Sequence, residues 1–298
     1  MANKISIKYY LEYIGYTAVE KFVLCIPDSS FPSIARFFAF LMFYILRIRR
    51  AVSIQNLRIA FPTKSSEWHK KIAYFSYLHF AMMIMEYMKM NKWSPERLAT
   101  KFLQVNMEDL LNSMNSNKGV VIVSGHFGNW EMGIGYLFLH GIRSSVIQQK
   151  QRNSLVDEKM KKPREKWGIE IIDPSGAVNA SIVALKKGRL IALLGDQDAG
   201  DRGAIVTFFG KQSSTHVGAA IIHLKSGASL FFAECTRVNA SCFDFKIIKI
   251  ADCLVKRFHY QDVKEVTGLF TKYLEKAVQK KPEQYFWMHR RWKTTISL

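Results

Sequence analysis

Residues 119–124 read Gly-Val-Val-Ile-Val-Ser, an apolar, β-branched run that ends in Gly125-His126. A strand with no polar residue in alternation is one buried on both faces, so it belongs inside a sheet that other elements cover on either side. Further strand-like runs fall at 143–148, 170–172, 190–194, 229–235 and 243–250. Helical patterns separate them at 154–166, 177–187, 217–226 and 263–280. Alternation of this kind predicts an α/β fold with a central mixed sheet flanked by helices. The chain before it, residues 1 to about 115, reads as helical, with Trp68, Ile72, Phe75, Leu78 and Met82 recurring on one side. The expected organisation is therefore a helical N-terminal region over 1–115 and an α/β core over 116–298.

Charge limits the partners. Among 298 residues, 43 Lys+Arg against 24 Asp+Glu leave a formal charge of +19, which calls for an anionic surface or ligand. The stretch 37–46 (FFAFLMFYIL) is uncharged, yet a bilayer span needs roughly 20 apolar residues, twice its length. Five arginines and no acid lie between residues 31 and 58: Arg36, Arg47, Arg49, Arg50 and Arg58. An apolar helix with a cationic rim fits the headgroup zone of an anionic membrane; the plainer alternative is a buried helix that ends in arginines. Glu12 and Glu20 interrupt the N-terminal region, which argues against a secretory signal and for a cytoplasm-facing protein. Cys25, Cys235, Cys242 and Cys253 form no CxxC pair and read as reduced, buried thiols. No nucleic-acid-binding signature accompanies the charge, so nucleic acid is not an expected partner.

The chemistry gathers around GVVIVSGHFGNWEMG. A buried strand presents His126 at its C-terminal end, where α/β sheets place their sites, and the chain turns at Gly128-Asn129 before a helix begins near Trp130-Glu131. On one helix His126 and Glu131 would point about 140° apart. Across a strand-turn-helix junction Glu131 can reach back, accept the Nδ1 proton and steady the imidazolium formed when Nε2 takes a proton. No GxSxG or adjacent Cys supplies a protein nucleophile, so the group His126 activates is a substrate hydroxyl. A satisfied structural histidine is the competing reading. The second informative stretch is GDQDAGDRGAIVTFFGKQSSTHVG, residues 195–218. Asp196, Asp198, Asp201 and Arg202 there form a polar head-group pocket or a solvated turn; a third reading is a metal site of Asp196, Asp198 and His216. In the third, residues 282–293 (PEQYFWMHRRWK), aromatics interleave with cations, as in a membrane-interface belt, a phosphate-binding patch or a docked segment.

Taken in order, HFGNWE at 126–131, GDQDAG at 195–200, FFG at 208–210 and PEQYFWMHRRWK at 282–293 resemble the bacterial lipid A biosynthesis acyltransferases, within the lysophospholipid acyltransferase superfamily. NLRIAFP at 56–62, Glu86, Asn153, Arg164 and ALKKG at 184–188 add to the likeness, which runs from about Arg49 to Lys293. The resemblance implies a glycerolipid acyltransferase-like fold. It implies transfer of a fatty acyl chain from acyl carrier protein, or acyl-CoA, to a hydroxyl of a lipid A precursor at the cytoplasmic face of a bacterial inner membrane. No cofactor or metal is implied. His126 becomes the general base and Glu131 its partner, with Asn129, Asn153, Arg164, Asp196, Asp198 and Arg202 as the substrate-binding set. Gln148-Gln149-Lys150 departs from the Tyr-Arg-Pro that several relatives carry before the asparagine. A different glycolipid acceptor, such as a phosphatidylinositol mannoside, and a non-catalytic lipid- or carrier-binding protein are the alternatives.

Overall fold

The computed structural model describes residues 6–115, 119–252 and 259–295. Its N-terminal part is α1 (Ile7–Cys25), α2 (Phe31–Phe40) continued by a π-helical turn Leu41–Ile45, α3 (Arg50–Ala60), α4 (Ser66–Met90) and the short α5 (Pro95–Ala99). Then come β1 (Phe102–Asn106), α6 (Glu108–Asn115), β2 (Val120–Ser124), α7 (Trp130–Leu139), β3 (Ser144–Ile147), α8 (Ser154–Lys166), β4 (Glu170–Ile172), α9 (Ala177–Lys186) and β5 (Leu190–Leu194). A hairpin of β6 (Ala204–Phe208) and β7 (Lys211–Thr215) leads to α10 (Gly218–Ser226), β8 (Ser229–Arg237), β9 (Phe243–Ala251) and α11 (Tyr260–Lys280).

Seven strands form one sheet in the order β1-β9-β8-β2-β5-β3-β4. Every neighbouring pair is parallel except β8/β9, which makes the sheet mixed as expected. The apolar run of β2 is explained by its central place. Val120 and Ile122 pack under α7 with Met132 and Leu137, while Val121 and Val123 pack on the opposite face with Ile222 of α10 and Phe270 of α11. Each buried Val or Ile there contributes on the order of 1.5–3 kcal/mol. Two elements differ from the sequence reading. β1 lies within the segment read as helical and joins the sheet as an edge strand, its FLQVN too short and too polar to show a clear period. The β6/β7 hairpin is a separate two-stranded sheet. Its two-residue turn is Phe209-Gly210, both at positive φ (52° and 70°), the conformation that a two-residue hairpin favours. Phe209 bears the strain because its N–H donates to Glu275 Oε2 (2.5 Å) and its ring packs on Phe61, 5.0 Å between centroids. The FFG motif is thus a structural device.

The cysteines differ as well: Cys25 is exposed, Cys242 is half-buried and only Cys235 is buried, while Cys253 lies outside the described residues. Among the described residues no single helix is long and apolar enough to cross a membrane, although a bent pair, 28–45 with 50–60, passes by length and composition.

α1 is attached through polar groups. Lys89 Nζ donates to the carbonyls of Val23 (3.2 Å), Leu24 (3.0 Å) and Ile26 (2.5 Å), capping its C-terminal end with a cation. Asn153 does two jobs: its Oδ1 accepts the Leu155 and Val156 N–H groups as the N-cap of α8, and its Nδ2 donates to Tyr9 O and Glu12 Oε2, both at 2.9 Å. Asn153→Ala is expected to lower stability by about 1–2 kcal/mol, the worth of a lost cap. It should also speed proteolytic cutting within 7–25, read by thermal melting and timed protease digestion.

Candidate active site

Strand register builds the site. β2 and β5 are parallel neighbours with Ser124 opposite Leu194, and Gly195 N–H continues the ladder to Ser124 O at 2.9 Å. Two residues further along each chain, His126 and Asp196 emerge side by side at the C-terminal edge of the sheet. His126 Nδ1 lies 2.8 Å from Asp196 Oδ1, and the carboxylate also accepts the His126 backbone N–H. Space at Gly125 is tight: a Cβ there would lie 2.8 Å from a terminal methyl of Leu274 and 3.2 Å from Asp196 Cβ, so a larger residue would push on both. Burial by itself would raise the Asp196 carboxyl, but His126 at its side pulls it down to about 2, so it is ionised. With Nδ1 donating to Asp196, Nε2 of neutral His126 is the free base. The ring is a quarter exposed, meets Trp130 edge-on at 5.0 Å, and has Gln197 Nε2 3.4 Å from its own Nε2.

The structure places Asp196, and not Glu131, at His126 Nδ1. Glu131 is buried in the first turn of α7, and its carboxylate is held by Arg164 of α8, through Nε (3.1 Å) and Nη2, and by Trp130 Nε1 (2.9 Å). Arg164 also donates to Gln148 Oε1 and stacks over Tyr87. The turn does not fold back far enough for Glu131, and the neighbouring strand has already supplied a carboxylate at Nδ1.

The turn carrying His126 is clamped from four sides. Gly128 N–H donates to Gln284 O (2.9 Å) and Asn129 N–H to Cys235 O (2.7 Å); Phe286 N–H reaches His126 O (2.9 Å) and His79 Nε2–H reaches Gly128 O (3.0 Å). Gly128 sits at φ 63°, and a Cβ would fall 2.1 Å from Cys235 O, so no other residue fits. Phe127 N–H is engaged too, with Gly125 O, so the three N–H groups of 127–129 all have acceptors within the protein. Asn129 is fully buried. Its Oδ1 caps α7 at Met132 N–H (3.2 Å), and its Nδ2 donates to Glu86, which forms a buried ion pair with Arg237 at 2.5 Å.

The remaining predicted residues separate. Arg164 and Glu131 line a cavity of ≈ 990 Å³ together with His126 and Gln197. Asn153 is consumed by its cap and by α1. Asp198 accepts from Gly200 N–H and from the Thr294 backbone and hydroxyl, and so ties down the C-terminal segment. Arg202 is exposed on a 3-10 turn (Gly200–Arg202) and does not border the cavity. Among the described residues no group of three His, Cys, Asp or Glu is arranged to hold a metal. Gln197 and Ser124 were not foreseen. Ser124 donates to Ala233 O at 2.7 Å and so is not paired with His126, while burial pushes the Cys235 thiol far above its ordinary range. Neither is a nucleophile.

From His126 the cavity runs under Gly133, Ile134 and Leu137 of α7. Its floor there is Phe245, Ala233, Ile122, Ala192 and Val146, one from each of β9, β8, β2, β5 and β3. Five neighbouring strands thus each give one apolar side chain to an apolar slot under α7.

The clamp carries a pH dependence. Burial, then the charge of Arg237, hold His79 down to about 3 from 6.5, so folding favours its neutral form. That stability is complete above 6.5 and is lost as pH falls through about 3. Calorimetric melting from pH 7 to 4 should show a falling Tm, and His79→Gln, which keeps a donor for Gly128 O, should flatten the slope.

A family model described as bacterial lipid A biosynthesis acyltransferase matches residues 3–294. The chain is 24% identical over 274 residues to the lipid A biosynthesis palmitoleoyltransferase of Escherichia coli K12, covering 91% of this chain and 85% of that protein. It is 26% identical over 252 residues to the lauroyltransferase of the same organism, 84% and 80% of the two chains. A phosphatidylinositol mannoside acyltransferase of Mycolicibacterium smegmatis is 26% identical over 144 residues, 47% of each.

Proposed function

This chain belongs to the bacterial lipid A biosynthesis acyltransferase family, and from that premise we propose that it moves a fatty acyl chain from an acyl carrier protein thioester, or acyl-CoA, to a hydroxyl of a lipid A precursor. The observation that carries the mechanism is His126, its Nδ1 on a buried carboxylate and its ring bordering the cavity with Gln197 at Nε2. The acceptor O–H gives its proton to Nε2 as its oxygen attacks the thioester carbonyl; Asp196 stabilises the imidazolium. The oxyanion collapses, the C–S bond breaks, and the leaving thiolate takes the proton back from Nε2. The Gln197 amide stands where it can donate to that oxyanion. The slot under α7 suits the acyl chain, and the Glu131–Arg164–Gln148 cluster suits the polar acceptor at the mouth.

An acceptor that stays in the bilayer requires the enzyme to meet it there. α1 turns Ile7, Leu11 and Ile14 outward, and Phe37, Ile45 and Leu46 are likewise more than half exposed. With the arginines of 36–58 beside them, this surface fits the headgroup region of an anionic membrane on its cytoplasmic side. The net positive charge also suits an acidic carrier protein.

Mass spectrometry of products from carrier-protein thioesters and an under-acylated lipid A precursor tests the reading. One added acyl mass is expected, with the rate reduced about 10²–10⁴-fold in His126→Ala and at least about 100-fold in Asp196→Asn. Equal rates in wild type and His126→Ala would overturn the mechanism, and transfer to another glycolipid alone would move the acceptor. Ala233→Leu, which fills the slot, should change the preference between chains differing by two methylenes by about tenfold or more toward the shorter. An unaltered product distribution would take the acyl chain out of the slot.

A further inference from the structure

α4 meets the catalytic turn at two points on one face. His79 and Glu86, both buried, lie seven residues apart on it, close to two helical turns. His79 holds the carbonyl of Gly128, and Glu86 holds the side chain of Asn129, whose Nδ2 donates to Glu86 Oε2 at 2.7 Å. The second contact brings a charge into the interior. Arg237, the last residue of β8, answers it with a two-pronged bond, Nη1 to Oε1 at 2.7 Å and Nη2 to Oε2 at 2.5 Å. Phe243 of β9 lies beneath the guanidinium, 4.7 Å from its carbon to the ring centroid.

Arg237 is a fixed point for that bond. Its N–H donates to Gln284 Oε1 (2.8 Å), and its carbonyl accepts from Gln284 Nε2 (2.9 Å) and Lys281 Nζ (2.8 Å). The same Gln284 takes the Gly128 N–H on its own carbonyl. Stability is a weak reason for such a pair, because two desolvated charges often cost more than an apolar pair of similar size unless every donor is satisfied. Here one is not: Arg237 Nε is buried with no hydrogen-bond partner among the described residues.

What the pair supplies is direction. Both oxygens of Glu86 are held by Arg237, so Oε2 is a rigid acceptor for Asn129, three residues past His126. Asn129 divides its amide: Oδ1 caps α7 at Met132 N–H, and only Nδ2 depends on Glu86. Loss of the Nδ2 bond therefore loosens the turn that presents the imidazole while the helix start keeps its cap.

We propose that Glu86 and Arg237 are positioning residues for the transfer: the pair fixes Asn129, and through it the turn that aims His126 at the acceptor hydroxyl. The proposal rests on the general-base reading of His126. Asn129→Asp tests it, because Asp keeps the Oδ1 cap and the shape but sets a second carboxylate against Glu86 where a donor stood. Its kcat should fall about 10–100-fold, the scale of a small misplacement, with the donor KM changed less than about threefold. Glu86→Gln combined with Asn129→Asp exchanges donor and acceptor and leaves one carboxylate for Arg237, so kcat should return to within about fivefold of wild type. A single variant with wild-type kcat, a loss confined to KM, or an exchanged pair that regains the melting temperature without turnover would overturn the proposal. Should Asn129→Asp fail to fold, Glu86→Met with Arg237→Met removes both charges and the acceptor together. That variant should melt near the wild type yet lose kcat to the same extent, and full turnover in it would also overturn the proposal. If His126→Ala retains turnover, the underlying base assignment fails instead, and the two failures are distinct.

Discussion

The site depends on one stretch of backbone hydrogen bonding, the parallel ladder between β2 and β5. Because Ser124 stands opposite Leu194, the residues that follow leave the sheet together, and a strand spacing of about 4.8 Å puts His126 within reach of Asp196. A shift of one residue would turn one of the two side chains to the other face of the sheet. Register is secured by burial on both sides, since Val121, Val123 and Ile191 face one core while Val120, Ile122 and Leu190 face the other. The geometry of the proposed base is thus a consequence of core packing.

The C-terminal segment ties the N-terminal helices to that sheet. Asn56 of α3 donates to Trp287 O (2.7 Å) and His289 O (2.5 Å), and Ser76 of α4 donates to Tyr285 O (2.7 Å). Trp287 and Trp292 are fully buried in a cluster that also takes Leu57 and Tyr77 from the N-terminal region and Phe232 and Leu274 from the α/β part. A division into 1–115 and 116–298 describes composition, but these two stretches share a core. Residues that read as a membrane belt or a phosphate patch, Trp287, Arg291 and Trp292, lie in the protein interior.

Much of the polar motif content serves placement of the backbone. Asn129, Asn153 and Asp198 have the residue types of a binding site, yet each uses its side chain on backbone N–H groups of a helix, turn or terminal segment. Asn and Asp are the side chains best suited both to ligand binding and to capping, so type alone cannot separate the roles. Spatial position does, since only Glu131, Arg164 and His126 of the predicted set border the cavity.

The amino-acid sequence by itself determined the alternation of buried strands and helices, the placement of His126 at a strand end, the charge and the family motifs, because periodicity and composition act over a few neighbouring residues. It even carried the parallel between VSGH at 123–126 and LLGD at 193–196, two apolar runs that break at the same glycine. It did not say that those runs lie side by side, so the nearer carboxylate, Glu131, was matched to His126 in place of one 70 residues away. The joining of β1 and the structural use of FFG were decided in the same way. Strand order, register and the burial of distant side chains are set by long-range packing, and only the tertiary structure brings those groups within bonding distance.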